Sequence, residues 1–178
     1  PNQASELLKD YGDDIEIAVI NSPASTVLSG GLETMGKVLD ALQRQNLFCK
    51  WVNVDVASHS PQIDSIRSEL LQVLDGLHPL PSILPFYSTV TGTRGDDLHF
   101  NADYWVDNLR KPVLFSDAIG QLLDSGHTLF VEIGPHPILL SSILQSLQPH
   151  HREVRLLPSL RREEPERKVL LGALGTLY

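Results

Sequence analysis

Between residues 15 and 56 the hydrophobic pattern passes from strand to strand to helix to strand, and this order limits the chain to a mixed α/β architecture. Residues 15–20, Ile-Glu-Ile-Ala-Val-Ile, are rich in β-branched side chains, Asn21-Ser22-Pro23 makes a turn, and Thr26-Val27-Leu28 reads as a second strand. Over residues 32–45 the apolar positions Leu32, Met35, Val38, Leu39 and Leu42 are three and four apart, which puts them on one helical face. Residues 48–56 read as a third strand. A β-β-α-β run of roughly forty residues has the size of a small lobe built on an antiparallel sheet.

The rest of the chain alternates in the same way. Residues 5–11 read as the end of a helix stopped by Gly12. Ile63, Ile66, Leu70, Leu71, Val73 and Leu74 predict a helix over 62–74, ended by Gly76. Proline-rich residues 78–85 form a connector, 86–91 a strand by composition, and Gly92-Thr93-Arg94-Gly95 a turn. Helices are expected over 102–109 and 116–125. A buried strand over 128–133 then delivers the chain into Gly134-Pro135-His136-Pro137, and a further helix runs through Leu147. From Leu156 the composition shifts to extended and charged, then to a short helix-like stretch ending at Tyr178, the pattern of a linker leaving a domain.

Composition excludes several function classes. In a chain of 178 residues, a formal charge of −8 and a sequence pI near 5.2 argue against a nucleic-acid surface, and the one basic cluster around Arg161-Arg162 is diluted by Glu163, Glu164 and Glu166. Cys49 is the only cysteine, which removes an intrachain disulfide and any cysteine-rich zinc site and fits a reducing, cytoplasmic setting. The apolar stretch 133–147 is interrupted by His136, Ser141, Ser142 and Gln145 and is too short for a membrane span. His150-His151, with His127 and His99, lacks metal-ligand spacing on a helix face, so no metal site is expected. The first fourteen residues carry no signal pattern, and a start at Pro1 suggests a piece of a longer protein.

His59 is the leading candidate for chemistry. It stands where an apolar, strand-like run meets a helix-like one, and a histidine at such a junction can face a cleft. With an ordinary pKa near 6.5, an imidazole accepts a hydroxyl proton at neutral pH and returns it to a leaving group. The plainer alternative is a helix cap or a satisfied core histidine. Asp55 and Asp64 are near enough in sequence to suggest a local triad, but strand alternation and the helix starting near Pro61 turn both toward solvent. His136 reads as a turn residue that packs and hydrogen-bonds, and Glu132 as the partner of a neighbour. No Gly-X-Ser-X-Gly elbow occurs anywhere in the chain; Leu28-Ser29-Gly30-Gly31 comes closest and reads as a strand running into a turn.

The segment Val54-Asp55-Val56-Ala57-Ser58-His59-Ser60-Pro61-Gln62 resembles the histidine segment of acyltransferase domains of modular polyketide synthases and their fatty-acid-synthase relatives. Asn21-Ser22-Pro23 with Val27-Leu28-Ser29-Gly30 follows that family's order, as do Tyr87-Ser88-Thr89-Val90-Thr91-Gly92 and Tyr104-Trp105 with Asn108-Leu109-Arg110. So do Pro112-Val113-Leu114-Phe115 and Glu132-Ile133-Gly134-Pro135-His136-Pro137. The resemblance covers nearly the whole chain.

It implies an α/β fold: part of an α/β-hydrolase-like large subdomain with an inserted ferredoxin-like small subdomain. Residues 1–14 would lead into the small lobe, 15–57 form it, 58–152 belong to the large subdomain, and 153–178 be a linker beyond the acyltransferase. It implies that His59 is the base for a serine in a Gly-His-Ser-X-Gly elbow, oriented by a backbone carbonyl near Arg110 and Lys111. The substrate would be a coenzyme A thioester and the acceptor the phosphopantetheine of an acyl carrier protein, with no tightly bound cofactor. The missing N-terminal part, an adjacent ketosynthase and the carrier protein would be the partners. The serine and the arginine that holds the extender carboxylate would lie upstream, leaving this chain inactive alone. Val56, Ala57 and Ser58, ending at His59, occupy the positions that correlate with extender choice, and a small Ser58 leans toward methylmalonyl over malonyl. A non-catalytic docking fragment, or a fatty-acid-synthase malonyl/acetyl transferase, is the alternative reading.

Overall fold

A computed structural model of the chain describes residues 1–96, 98–147 and 153–178. His150, His151 and Arg152 lie outside the described residues.

After helix α1 (Asn2–Leu8) and a short 3-10 turn (Gly12–Asp14), β1 (Ile15–Ser22) and β2 (Ser25–Gly30) form an antiparallel hairpin, with Ile15 opposite Gly30 and Ser22 opposite Ser25. Gly30 is required at the open end of the hairpin, because a Cβ there would fall on the carbonyl oxygen of Asp14. Helix α2 (Leu32–Arg44) packs against β2 and buries Val38, while Leu32, at the edge of the expected apolar face, stays exposed. It ends in a Schellman arrangement: Asn46 adopts φ 56°, its N–H donates to Gln43 O at 3.0 Å, and Leu47 N–H donates to Leu42 O at 3.1 Å.

The third strand expected over 48–56 does not form. A strand needs a partner for its backbone groups, and none lies beside this stretch among the described residues. Apart from half-buried Cys49 its residues are exposed, with Phe48, Val52 and Val54 at 95%, 61% and 67%.

The chain then enters a 3-10 turn (Pro61–Ile66) continuous with α3 (Arg67–Leu74), so the helix expected over 62–74 forms with a tighter first half. Residues 86–91 are a turn, not a strand. Tyr87 makes a single bridge to Arg94, and the buried Ser88 hydroxyl accepts N–H bonds from Val90 and Thr91 at 3.1 and 3.4 Å, so side-chain bonding displaces a ladder.

Helix α4 (Ala102–Arg110) is capped by the Asn101 side chain and buries Tyr104 and Val106. Helix α5 (Phe115–Asp124), strand β3 (Leu129–Glu132), helix α6 (Leu140–Ser146) and strand β4 (Arg155–Pro158) assemble around Ile119, Leu123 and Ile143, with Phe130 and Leu156 packed against them. β3 and β4 pair in parallel. β3 is covered on one face only: Phe130 meets the core while Leu129 and Val131 remain exposed, so it is not the buried strand expected. Residues 155–158, part of the stretch read from sequence as a linker, are thus a strand of this sheet, and α7 (Glu166–Leu177) packs on it.

β1 links the two parts. One edge pairs with β2, and the other meets Val113, whose N–H donates to Ala18 O at 2.8 Å and whose carbonyl accepts Ile20 N–H at 2.9 Å.

Candidate active site

His59 occupies the turn between the exposed stretch 48–56 and the 3-10 turn, and its φ of 58° puts it in the left-handed region that non-glycine residues rarely adopt. Such a conformation persists when its surroundings fix it from several sides. Here the His59 N–H donates to Leu109 O at 2.9 Å. The ring Nδ1 lies 2.7 Å from Lys111 O. On the far side Ser60, fully buried, donates from Oγ to Ala57 O at 2.7 Å and accepts Gln62 N–H at 3.3 Å.

The two carbonyls that hold His59 are available for a reason written in the chain. Leu109 lies in the last turn of α4, where carbonyls lack helical partners. Lys111 precedes Pro112, and a residue before proline is driven out of helical geometry; its φ and ψ of −79° and 158° turn its carbonyl away from the helix axis. A carbonyl oxygen only accepts, so the proton resides on Nδ1 and the Nε2 lone pair is left to take another. No partner occupies Nε2 among the described residues.

Arg110, between these carbonyls, reaches from α4 to two other elements. Its guanidinium forks onto Glu16 of β1, at 2.8 Å to Oε2 and 3.2 Å to Oε1, while its Nε donates to Asp64 Oδ1 at 2.9 Å. These bonds, that to Glu16 foremost, outweigh partial burial and raise its already high pKa further.

Of the residues picked out from sequence, Ala57 and Ser58 are half-buried in the His59 turn and Val56 is exposed beside it. Asp64 is solvent-facing as read, but it is engaged by Arg110; Asp55 is exposed in the bend. His136 lies elsewhere, its Nδ1 accepting Arg162 N–H at 3.3 Å. Glu132 does find neighbours, but they are backbone: its carboxylate accepts the N–H groups of Ile138, Leu139 and Leu140. Sequence reasoning missed Ser60, although Ser before Pro at the start of a helical turn is a capping signal, and it missed the Glu16–Arg110–Asp64 network, whose members are too far apart for any local pattern.

Residues 2–177 match the family model of the acyl transferase domain. The chain belongs to that family. Polyketide synthase GfsA from Streptomyces halstedii is 42% identical over 177 residues, 98% of this chain and 2% of that protein. The acyltransferase domain from module 8 of the salinomycin polyketide synthase superposes with a TM-score of 0.92 at 35% identity, over 97% of this chain and 41% of that one. The acyltransferase domain of SpnD, solved in complex with 2-(pent-4-yn-1-yl)malonyl, gives a TM-score of 0.89 at 26% identity over 98% of this chain and 43% of that one. The acyltransferase chain therefore spans less than half the length of these solved domains and a small fraction of its full-length relative. Its α/β architecture is that of polyketide synthase acyltransferases.

Proposed function

We propose that this chain supplies the general base of a polyketide synthase acyltransferase that moves a malonyl-type extender from coenzyme A to an acyl carrier protein. The observation that carries the reading is the 2.7 Å contact of His59 Nδ1 with Lys111 O, which leaves Nε2 as the free base. The nucleophile is a serine from a segment outside these residues, since no elbow occurs in the sequence.

In the first half-reaction the serine Oγ–H gives its proton to Nε2 as Oγ bonds to the thioester carbonyl. Collapse of the tetrahedral intermediate breaks the C–S bond, and the coenzyme A sulfur leaves as the thiol after taking that proton. In the second, the phosphopantetheine thiol gives its proton to Nε2, attacks the acyl-serine ester, and serine Oγ leaves by reclaiming the proton. No tightly bound cofactor takes part in either step. The carrier protein is the acceptor this chemistry requires, and an adjacent ketosynthase is the further expected neighbour. Val56, Ala57 and Ser58 face the extender, and the small Ser58 leaves room for an α-methyl branch.

The test is His59→Ala in an acyltransferase unit that joins this chain to its serine-bearing segment. Acylation from malonyl- and methylmalonyl-coenzyme A, followed by intact mass, is expected to fall by about 10²–10⁴ with circular dichroism unchanged. Acylation at the normal rate would remove His59 from the mechanism.

A further inference from the structure

We propose that Arg110 is a positioning residue for His59, holding the two carbonyls that fix the base; the inference rests on the reading of His59 as the base. Arg110 is the residue between Leu109 and Lys111, which accept the His59 N–H at 2.9 Å and contact Nδ1 at 2.7 Å. Any rotation of the α4 end moves both acceptors together.

The Arg110 side chain opposes that rotation from two directions. Glu16 anchors it to β1, and Asp64 anchors it to the 3-10 turn that begins two residues after His59. The main chain repeats the first anchor through the pairing of Val113 with β1. Helix, hairpin and histidine turn thus meet on one guanidinium whose side chain is 21% exposed. The adjacent Lys111 cannot substitute, because its ammonium reaches back to Asp107 of α4 at 2.7 Å. The planar fork serves two carboxylates at fixed angles, which a lysine point charge does not reproduce.

The experiment compares Arg110→Met, Arg110→Lys and Glu16→Gln with the unaltered acyltransferase unit, using malonyl-coenzyme A as the acyl donor. Single-turnover acylation is measured against donor concentration, and long-range proton–nitrogen correlation reports the His59 tautomer, assigned by the signal lost in His59→Ala.

Arg110→Met is expected to lower the maximal acylation rate about 10–10²-fold at unchanged half-saturation, the consequence of a misplaced reacting group. It should also convert a single Nδ1–H tautomer into a mixture. Arg110→Lys and Glu16→Gln should shift both readouts the same way by less, and they carry the test if Arg110→Met does not fold. The double variant His59→Ala/Arg110→Met should be no slower than His59→Ala.

A folded Arg110→Met with normal rate and tautomer, or a double variant markedly slower than His59→Ala, would overturn the proposal. Normal acylation by His59→Ala would instead defeat the base reading and take this proposal with it. A slow His59→Ala beside a normal Arg110→Met overturns the role of Arg110 alone.

Discussion

His59 Nδ1 and the carbonyl oxygen of Lys111 lie 2.7 Å apart across 52 positions of sequence. Among the described residues neither an acid nor a hydroxyl orients this imidazole; a proline-flanked backbone carbonyl does. The arrangement differs in kind from a histidine–carboxylate pair, because a neutral acceptor fixes the tautomer without adding a charge next to the ring.

The left-handed backbone of His59 makes a stability prediction separate from catalysis. Asparagine tolerates this region and a β-branched residue does not. His59→Val is therefore expected to be about 1–2 kcal/mol less stable than His59→Asn in urea unfolding. Equal stability of the two would show that the turn relaxes out of the left-handed region.

Glu132 closes the start of α6 by accepting the N–H groups of Ile138, Leu139 and Leu140, at 2.8, 3.1 and 3.0 Å. Removing the carboxylate leaves donors in a half-buried loop without their acceptor. Glu132→Ala is expected to cost about 1–3 kcal/mol and to speed amide exchange at residues 138–140. Unchanged exchange there would mean that water replaces the carboxylate without loss.

The proposal that Ser58 faces the extender makes extender choice a matter of the volume beside His59. The reading that Ser58 leaves space for a methyl branch predicts that methylmalonyl-coenzyme A modestly outcompetes malonyl-coenzyme A, since a methylene is worth only about 1–3 kcal/mol. Ser58→Phe should move the acyl-enzyme ratio toward malonyl, read by intact mass in a mixture of both esters. A strong malonyl excess in the unaltered unit would refute the lean.

Much of the architecture was legible because it is set locally. The apolar face of α2 and the apolar run of β3 each carry their own signal over a few residues. Residues 48–56 and 86–91 have strand composition, but composition supplies only the willingness to pair: no partner edge lies beside the first among the described residues, and in the second the Ser88 hydroxyl takes the N–H groups of Val90 and Thr91.

The same division runs through the site. The sequence by itself determined the identity of the candidate base and, through Pro112, that a carbonyl at Lys111 would turn out of the helix. Only the tertiary structure decided that this carbonyl meets His59, and that Arg110 spans Glu16 and Asp64, 94 and 46 residues away. Local conformational preference is written in neighbouring residues, whereas a contact between distant ones exists only once the packing of β1 on Val113 has fixed the distance between them.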